Sequence, residues 1–216
     1  MGNDLIGWKV GSDGSQATGF ARGTAGIAYA LLSLYRETGE RGFYDAAEGA
    51  IAYEDMKNDQ QEANWVDNGA YATGRVSRTK DSVQGWCNGP AGVALGRIAT
   101  LDIFDKESVR SQIETFVEMT ANASHAESDH LCCGSISAGE VLLSAAARYQ
   151  YPAWNKMARQ RFLKTVSRQT KNNNFKPESR FNELYNPTLF QGSSGFGYHC
   201  LRLVDATHLP DVLLLE

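Results

Sequence analysis

A short glycine-centred segment recurs four times along the chain. The copies are Gly19-Phe-Ala-Arg-Gly23-Thr-Ala-Gly26, Trp86-Cys-Asn-Gly89-Pro-Ala-Gly92, Leu131-Cys-Cys-Gly134-Ser-Ile-Ser137 and Phe190-Gln-Gly192-Ser-Ser-Gly195. The third carries Ser137 where the others place their second glycine. An apolar run follows each copy, so each reads as a tight turn and then a helix. The copies lie about 45 to 66 residues apart, a spacing typical of helix-pair or blade repeats. Such units bury their apolar faces against one another and cannot be independent domains.

The stretches between the copies decide between helices and blades. In Gly42-Phe-Tyr-Asp-Ala-Ala-Glu-Gly-Ala-Ile-Ala-Tyr-Glu54 the apolar residues fall three and four apart, which is helical spacing. Similar patterns run from Glu107 to Thr120 and from Trp154 to Arg168, and strict alternation is rare. Residues Lys57 to Asn68 and Lys171 to Asn174 are rich in Gly, Asn and Asp and read as loops. The expected fold is all-α, with small residues letting inner helices approach around a shared axis in an α/α toroid. No linker divides residues 1–216, and 216 residues suit one domain.

Composition narrows the function classes. The 42% hydrophobic and 21% charged fractions are those of a globular chain. A net charge of −4 without long basic runs argues against nucleic acid as a partner. The longest apolar stretch, Gly23 to Tyr35, is too short for the ~20 residues that cross a bilayer. The start, Met-Gly-Asn-Asp-Leu-Ile, has no basic and apolar signal pattern, so a cytoplasmic location is expected. In a reducing compartment Cys87, Cys132, Cys133 and Cys200 are thiols or metal ligands rather than disulfides.

Cys87 and the Cys132-Cys133 pair occupy matching turns of successive repeats. If the repeats wrap an axis, those turns meet at one end and bring three thiols together. Three thiolates suit zinc, which binds sulfur at about 2.3 Å and leaves a fourth position open in catalytic sites. An all-sulfur shell keeps a bound substrate thiolate nucleophilic, so the implied chemistry is attack by sulfur. The plainer reading is three thiols packing as small apolar residues.

Other candidates carry less. His125 and His130 precede the cysteine pair but lack metal-ligand spacing and read as solvated loop histidines, while His199 and Cys200 read as helix packing. Trp65, within Asn64-Trp65-Val66-Asp67, is a candidate peptide contact or loop cap. A toroidal glycosidase would need paired carboxylates; Glu54, Asp67 and Glu140 show no such pairing.

These motifs resemble the lanthionine synthetase C-like family, and in particular the C-terminal cyclase domain of class II lanthipeptide synthetases with a Cys-Cys-Gly zinc site. Gly19 to Gly26 is similar to its Gly-Phe-x-His-Gly-x-Ala-Gly segment and Trp86 to Gly92 to its Trp-Cys-x-Gly segment. The stretches Arg41 to Ala47, Tyr53-Glu54, Asn64 to Asp67 and Gln191 to Gly195 extend the likeness across nearly the whole chain. The resemblance implies Zn2+ on Cys87, Cys132 and Cys133, and addition of peptide cysteine thiols to dehydroalanine or dehydrobutyrine. The product is a lanthionine or methyllanthionine ring, and the partner is a dehydrated precursor peptide. Two departures accompany it. Arg22 stands where the family has a histidine assigned to proton transfer. About four of seven helix-hairpin repeats are present, as in a C-terminal fragment, and the absent ones carry the family's acidic residue for thiol deprotonation. Such a half-toroid would expose apolar faces and take the remainder of a synthetase or a second copy as partner. The alternative expectation is a non-catalytic, zinc-stabilised half-toroid that binds a peptide or complements another subunit.

Overall fold

The computed structural model describes residues 4–9, 16–59, 64–65, 85–123, 126, 128–172 and 185–215. Seven helices lie among them: α1 (Thr24–Thr38), α2 (Arg41–Lys57), α3 (Pro90–Ala99), α4 (Glu107–Asn122), α5 (Ser135–Tyr149), α6 (Pro152–Asn172) and α7 (Ser193–Val204). The three stretches expected to be helical are α2, α4 and α6, each slightly longer than the periodicity indicated. Pro152 opens α6 at the first helical position, where its missing N–H costs nothing. The expected loop from Lys57 to Asn68 is corrected in part: Asn58–Asp59 (β1) pairs antiparallel with Asn64–Trp65 (β2). Residues 66–68 lie outside the described set.

Burial separates two classes of helix. Every residue from Pro90 to Ile98 in α3 is buried, whereas α4 buries only Val109, Ile113, Phe116, Val117 and Thr120. The second pattern is a single apolar stripe at helical spacing, as on an outer helix; the first belongs to a helix enclosed on all sides. The inner helices α1, α3, α5 and α7 pack side by side in chain order, and α2, α4 and α6 each lie outside the inner helix that precedes them. Two concentric layers of an incomplete α/α toroid result. Among the described residues the fourth unit supplies an inner helix but no outer one.

Residues 205–215 instead fold back into the ring. Leu213 is fully buried, the Trp86 indole N–H donates to its carbonyl at 2.9 Å, and the Tyr29 hydroxyl donates to the Leu214 carbonyl at 3.0 Å. Burying one leucine side chain stabilises the fold by about 1.5–3 kcal/mol. Asp211 accepts from Ser144 on α5 and pairs with Arg202 on α7 at 3.4 Å, so the tail ties α1, the turn before α3, α5 and α7 together. Arg202 also donates to Glu140 on α5 at 2.7 Å. No described helix is long and apolar enough to cross a membrane.

The repeated glycines have a common geometric cause. A Cβ on Gly26 would lie 1.9 Å from the Phe20 carbonyl oxygen, one on Gly92 1.9 Å from that of Trp86, and one on Gly195 2.0 Å from that of Leu189. In these three copies the turn folds back onto the first turn of its own helix, and only hydrogen fits between. We expect Gly92→Ala to lower stability by about 1–3 kcal/mol or to prevent folding. Gly197→Ala, where a Cβ meets nothing within 4 Å, should instead raise stability by about 0.5–1 kcal/mol. Denaturant unfolding followed by circular dichroism measures both.

Candidate metal centre

The turns ahead of the inner helices are hydrogen-bonded to one another around the ring. Ala21 N–H donates to the Cys87 carbonyl at 3.0 Å, linking the first turn to the second. Trp86 N–H donates to the Ser137 hydroxyl at 2.9 Å, linking the second to the third, and Cys132 N–H donates to the Phe190 carbonyl at 3.0 Å, linking the third to the fourth. Ser137 also donates to the Cys132 carbonyl at 3.3 Å. The serine that replaces the third glycine is therefore the bridge that sets the two cysteine turns against each other. Below them the Trp86 ring stacks on Phe190 at 5.2 Å and leans on Phe20 at 5.7 Å.

Cys87, Cys132 and Cys133 meet as their repeat positions require. The three sulfurs lie within 4.8 Å of one another, with Cys133 Sγ at 3.5 Å from both Cys87 Sγ and Cys132 Sγ. Gly85 makes this approach possible, since a Cβ there would lie 2.4 Å from the Cys133 Cβ. All three thiols are half-buried and precede the N-termini of α3 and α5, where helix dipoles favour negative charge. Contacts from Cys132 and then Cys133, with the nearby Arg22 charge, pull the Cys87 thiol down to about 3. The reciprocal contacts with Cys132 and Cys87 push the Cys133 thiol up. Tetrahedral zinc at about 2.3 Å from each sulfur needs sulfur separations of roughly 3.8 Å. The observed cluster fits that demand.

The surrounding candidates sort themselves by geometry. His130 is not a solvated loop residue, as the sequence suggested, but buried: its Nδ1 accepts the Cys133 N–H at 3.3 Å, which supports the turn and directs that lone pair away from a metal. His125 lies outside the described residues. His199 is fully buried in α7, with Nδ1 2.6 Å from Glu140, and Cys200 is half-buried, its thiol pushed up by burial. Glu140 and Glu54 are engaged in separate networks, and Asp67 lies outside the described residues. The backbone of Asn64 and Trp65 forms β2. Arg22 is exposed on the first turn, at the repeat position that Cys133 occupies in the third.

Two carboxylates that sequence reasoning did not assign hold the turns from outside. Glu54 on α2 accepts the Gly19 N–H at 2.9 Å and the Thr24 hydroxyl, fastening the first turn. Asp129 is fully buried beside the third turn and is paired with Arg168 and Gln169 of α6. Only the position of Glu54 at the buried end of an amphipathic run hinted at such a role.

The sequence profile of the family described as lanthionine synthetase C-like protein matches residues 3–214. The chain belongs to the lanthionine synthetase C-like family. Comparison with curated proteins gives no match. Among solved structures, one titled nisin cyclase superposes with a TM-score of 0.60 at 16% identity, over 92% of this chain and 50% of that one. The likeness confirms the toroidal architecture, and the chain spans half the length of nisin cyclase. Within this lanthionine synthetase C-like fold, Glu54 offers a test of the turn geometry. Burial raises its carboxyl above its ordinary value of 4.5, partly offset by the bonds from Thr24 and Gly19. Its contribution is greatest below that value and declines as pH rises through the folded-state pKa. Glu54→Gln should cost about 1–3 kcal/mol, and the deficit should narrow between acidic and alkaline pH in parallel denaturant titrations.

Proposed function

We propose that this chain carries the zinc centre of a thioether-forming peptide cyclase, with Cys87, Cys132 and Cys133 holding Zn2+. The substrate is a dehydrated precursor peptide whose cysteine thiols add to dehydroalanine or dehydrobutyrine. The observation that carries the reading is the convergence of three sulfurs within 4.8 Å on turns that the family's repeats bring together. Addition gives up the thiol S–H bond and the Cα=Cβ π bond and forms one S–C bond at the β-carbon; the thiol proton is released and one proton is taken up at the α-carbon, with no net change of redox state. When bound, zinc supplies the Lewis acidity that ionises an incoming thiol near neutral pH, while three thiolate ligands keep its sulfur nucleophilic.

The chain's own residues account for the remaining demands unequally. Arg22 carries a permanent positive charge beside Cys87 and stabilises negative charge developing on the substrate carbonyl oxygen. A guanidinium cannot act as a proton donor near neutral pH, so the α-carbon takes its proton from solvent, to which the Arg22 turn is open. Ser137 and Gly85 hold the two cysteine turns in register without touching substrate. The replacement of a proton-transfer residue by Arg22 supports a second reading, a zinc-stabilised half-toroid that binds peptide or completes another subunit without turnover.

Two experiments separate these readings. Elemental analysis of the purified chain should find about one zinc per chain, lost in Cys87→Ala and in the Cys132→Ala, Cys133→Ala double variant. Incubation with a dehydrated, cysteine-containing peptide should consume thiols, scored by alkylation and mass spectrometry. Zinc without thiol consumption supports the non-catalytic reading, and a folded wild type without zinc removes both. Arg22→His introduces a group of ordinary pKa about 6.5 that can donate a proton. It should raise the cyclisation rate by about 10²-fold, with the gain fading as pH climbs past that value in a pH-rate profile.

A further inference from the structure

The longest of the described helices of this acidic chain bears no acidic residue. Across its 21 residues α6 carries Lys156, Arg159, Arg161, Lys164, Arg168 and Lys171 and not one Asp or Glu, in a protein of net charge −4. Three of these cations serve the fold. Arg161 donates to the Ala121 and Ala123 carbonyls at 3.2 and 2.8 Å, Arg168 pairs with Asp129, and Arg159 donates to the Leu203 carbonyl at 2.6 Å. Lys156, Lys164 and Lys171 are exposed and have no acidic partner among the described residues. Spacings of eight and seven residues place all three on one face of the helix, along about 22 Å of its axis.

That face also presents apolar surface. Leu163 is 61% exposed between the lysines, and Val204 of α7, which lines the same groove, is 84% exposed. A groove of about 830 Å³ runs between the ends of α5, α6 and α7 over Leu143, Ala146, Leu163 and Val204. A second hollow of about 410 Å³ continues it past Leu163 to Lys164 and Lys171. This is the flank of α7 that no outer helix covers among the described residues. Asp205 at the groove edge accepts hydrogen bonds from Thr207 and His208, and among the described residues it is the one carboxylate lining a groove whose other charged residues, Lys156, Arg159 and Arg202, are basic.

We propose that this groove docks an acidic, amphipathic helical peptide segment. Its apolar stripe would lie on Leu163 and Val204, and carboxylates spaced seven to eight residues apart would meet Lys156, Lys164 and Lys171. Helix-in-groove binding asks for this combination of an apolar floor and complementary rim charges. Phosphate backbones match it less well, since three lysines beside exposed leucine and valine offer few charge contacts and an apolar surface that a duplex cannot use. The inference stands apart from the metal centre and does not require the chain to be an enzyme.

Fluorescence anisotropy with the full chain and a labelled synthetic helix of about 20 Glu and Leu residues in amphipathic order tests it. Saturable binding is expected that weakens at high salt. It should fall about tenfold or more when the peptide order is scrambled, or when Lys156→Glu, Lys164→Glu and Lys171→Glu are combined. Val204→Arg, at an exposed position where folding is unaffected, should weaken binding likewise, whereas Cys87→Ala should leave it unchanged. Equal binding of the scrambled or a Lys/Leu peptide would overturn the proposal. So would tighter binding of a DNA duplex or of phosphatidylserine vesicles under the same conditions.

Discussion

The turn that precedes each inner helix presses its backbone against the helix it starts, and the rest of the structure depends on that contact. At Gly26, Gly92 and Gly195 a carbonyl oxygen lies where a side chain would begin. The compact turn aims successive inner helices from one end of the ring and gathers the residues just ahead of them into a single cluster. Three cysteines distant in sequence become neighbours because the same backbone form is repeated beneath them. The sulfur cluster is thus a by-product of repetition, needing no dedicated loop.

Around this common form the repeats diverge, and the divergences carry the chemistry. One position of the turn is Arg22 in the first copy, Asn88 in the second, Cys133 in the third and Gln191 in the fourth. The ring therefore sets a cation beside two sulfur-bearing turns. The second glycine position is Ser137 in the third copy, and there the added hydroxyl becomes a link between turns. Buried carboxylates on α2 and beside α6 hold turns from the outer layer, so the outer helices position the site without contributing to it.

The sequence was most informative where a pattern is local. Amphipathic spacing identified α2, α4 and α6, and glycine spacing located the starts of the inner helices and the meeting of the three thiols. Contacts between distant residues left little trace. The run from Asp211 to Leu215 has no helical or strand period that would mark it as a plug for the ring. His130 looked like a loop residue because burial of a turn depends on the layers around it. The β1 and β2 ladder lay in a segment whose polar composition reads as loop, since two-residue strands leave no alternation to detect.

The C-terminal plug bears on how the ring forms in time. Hydrogen bonds from Tyr29 to Leu214 and from Trp86 to Leu213 join residues 185 and 127 positions apart. Each helical hairpin can form early from local contacts, but the interior of the ring stays unfilled until residues 209–215 have emerged and folded inward. Contacts of such separation close slowly because the loop entropy is lost before any stabilisation is gained. During synthesis the chain therefore passes through an interval in which the hairpins exist and their inner faces are wet. In that interval the turn that carries Cys87 lacks the anchor from Trp86 to Leu213, so the docking of residues 211–215 settles the sulfur cluster as well as the ring.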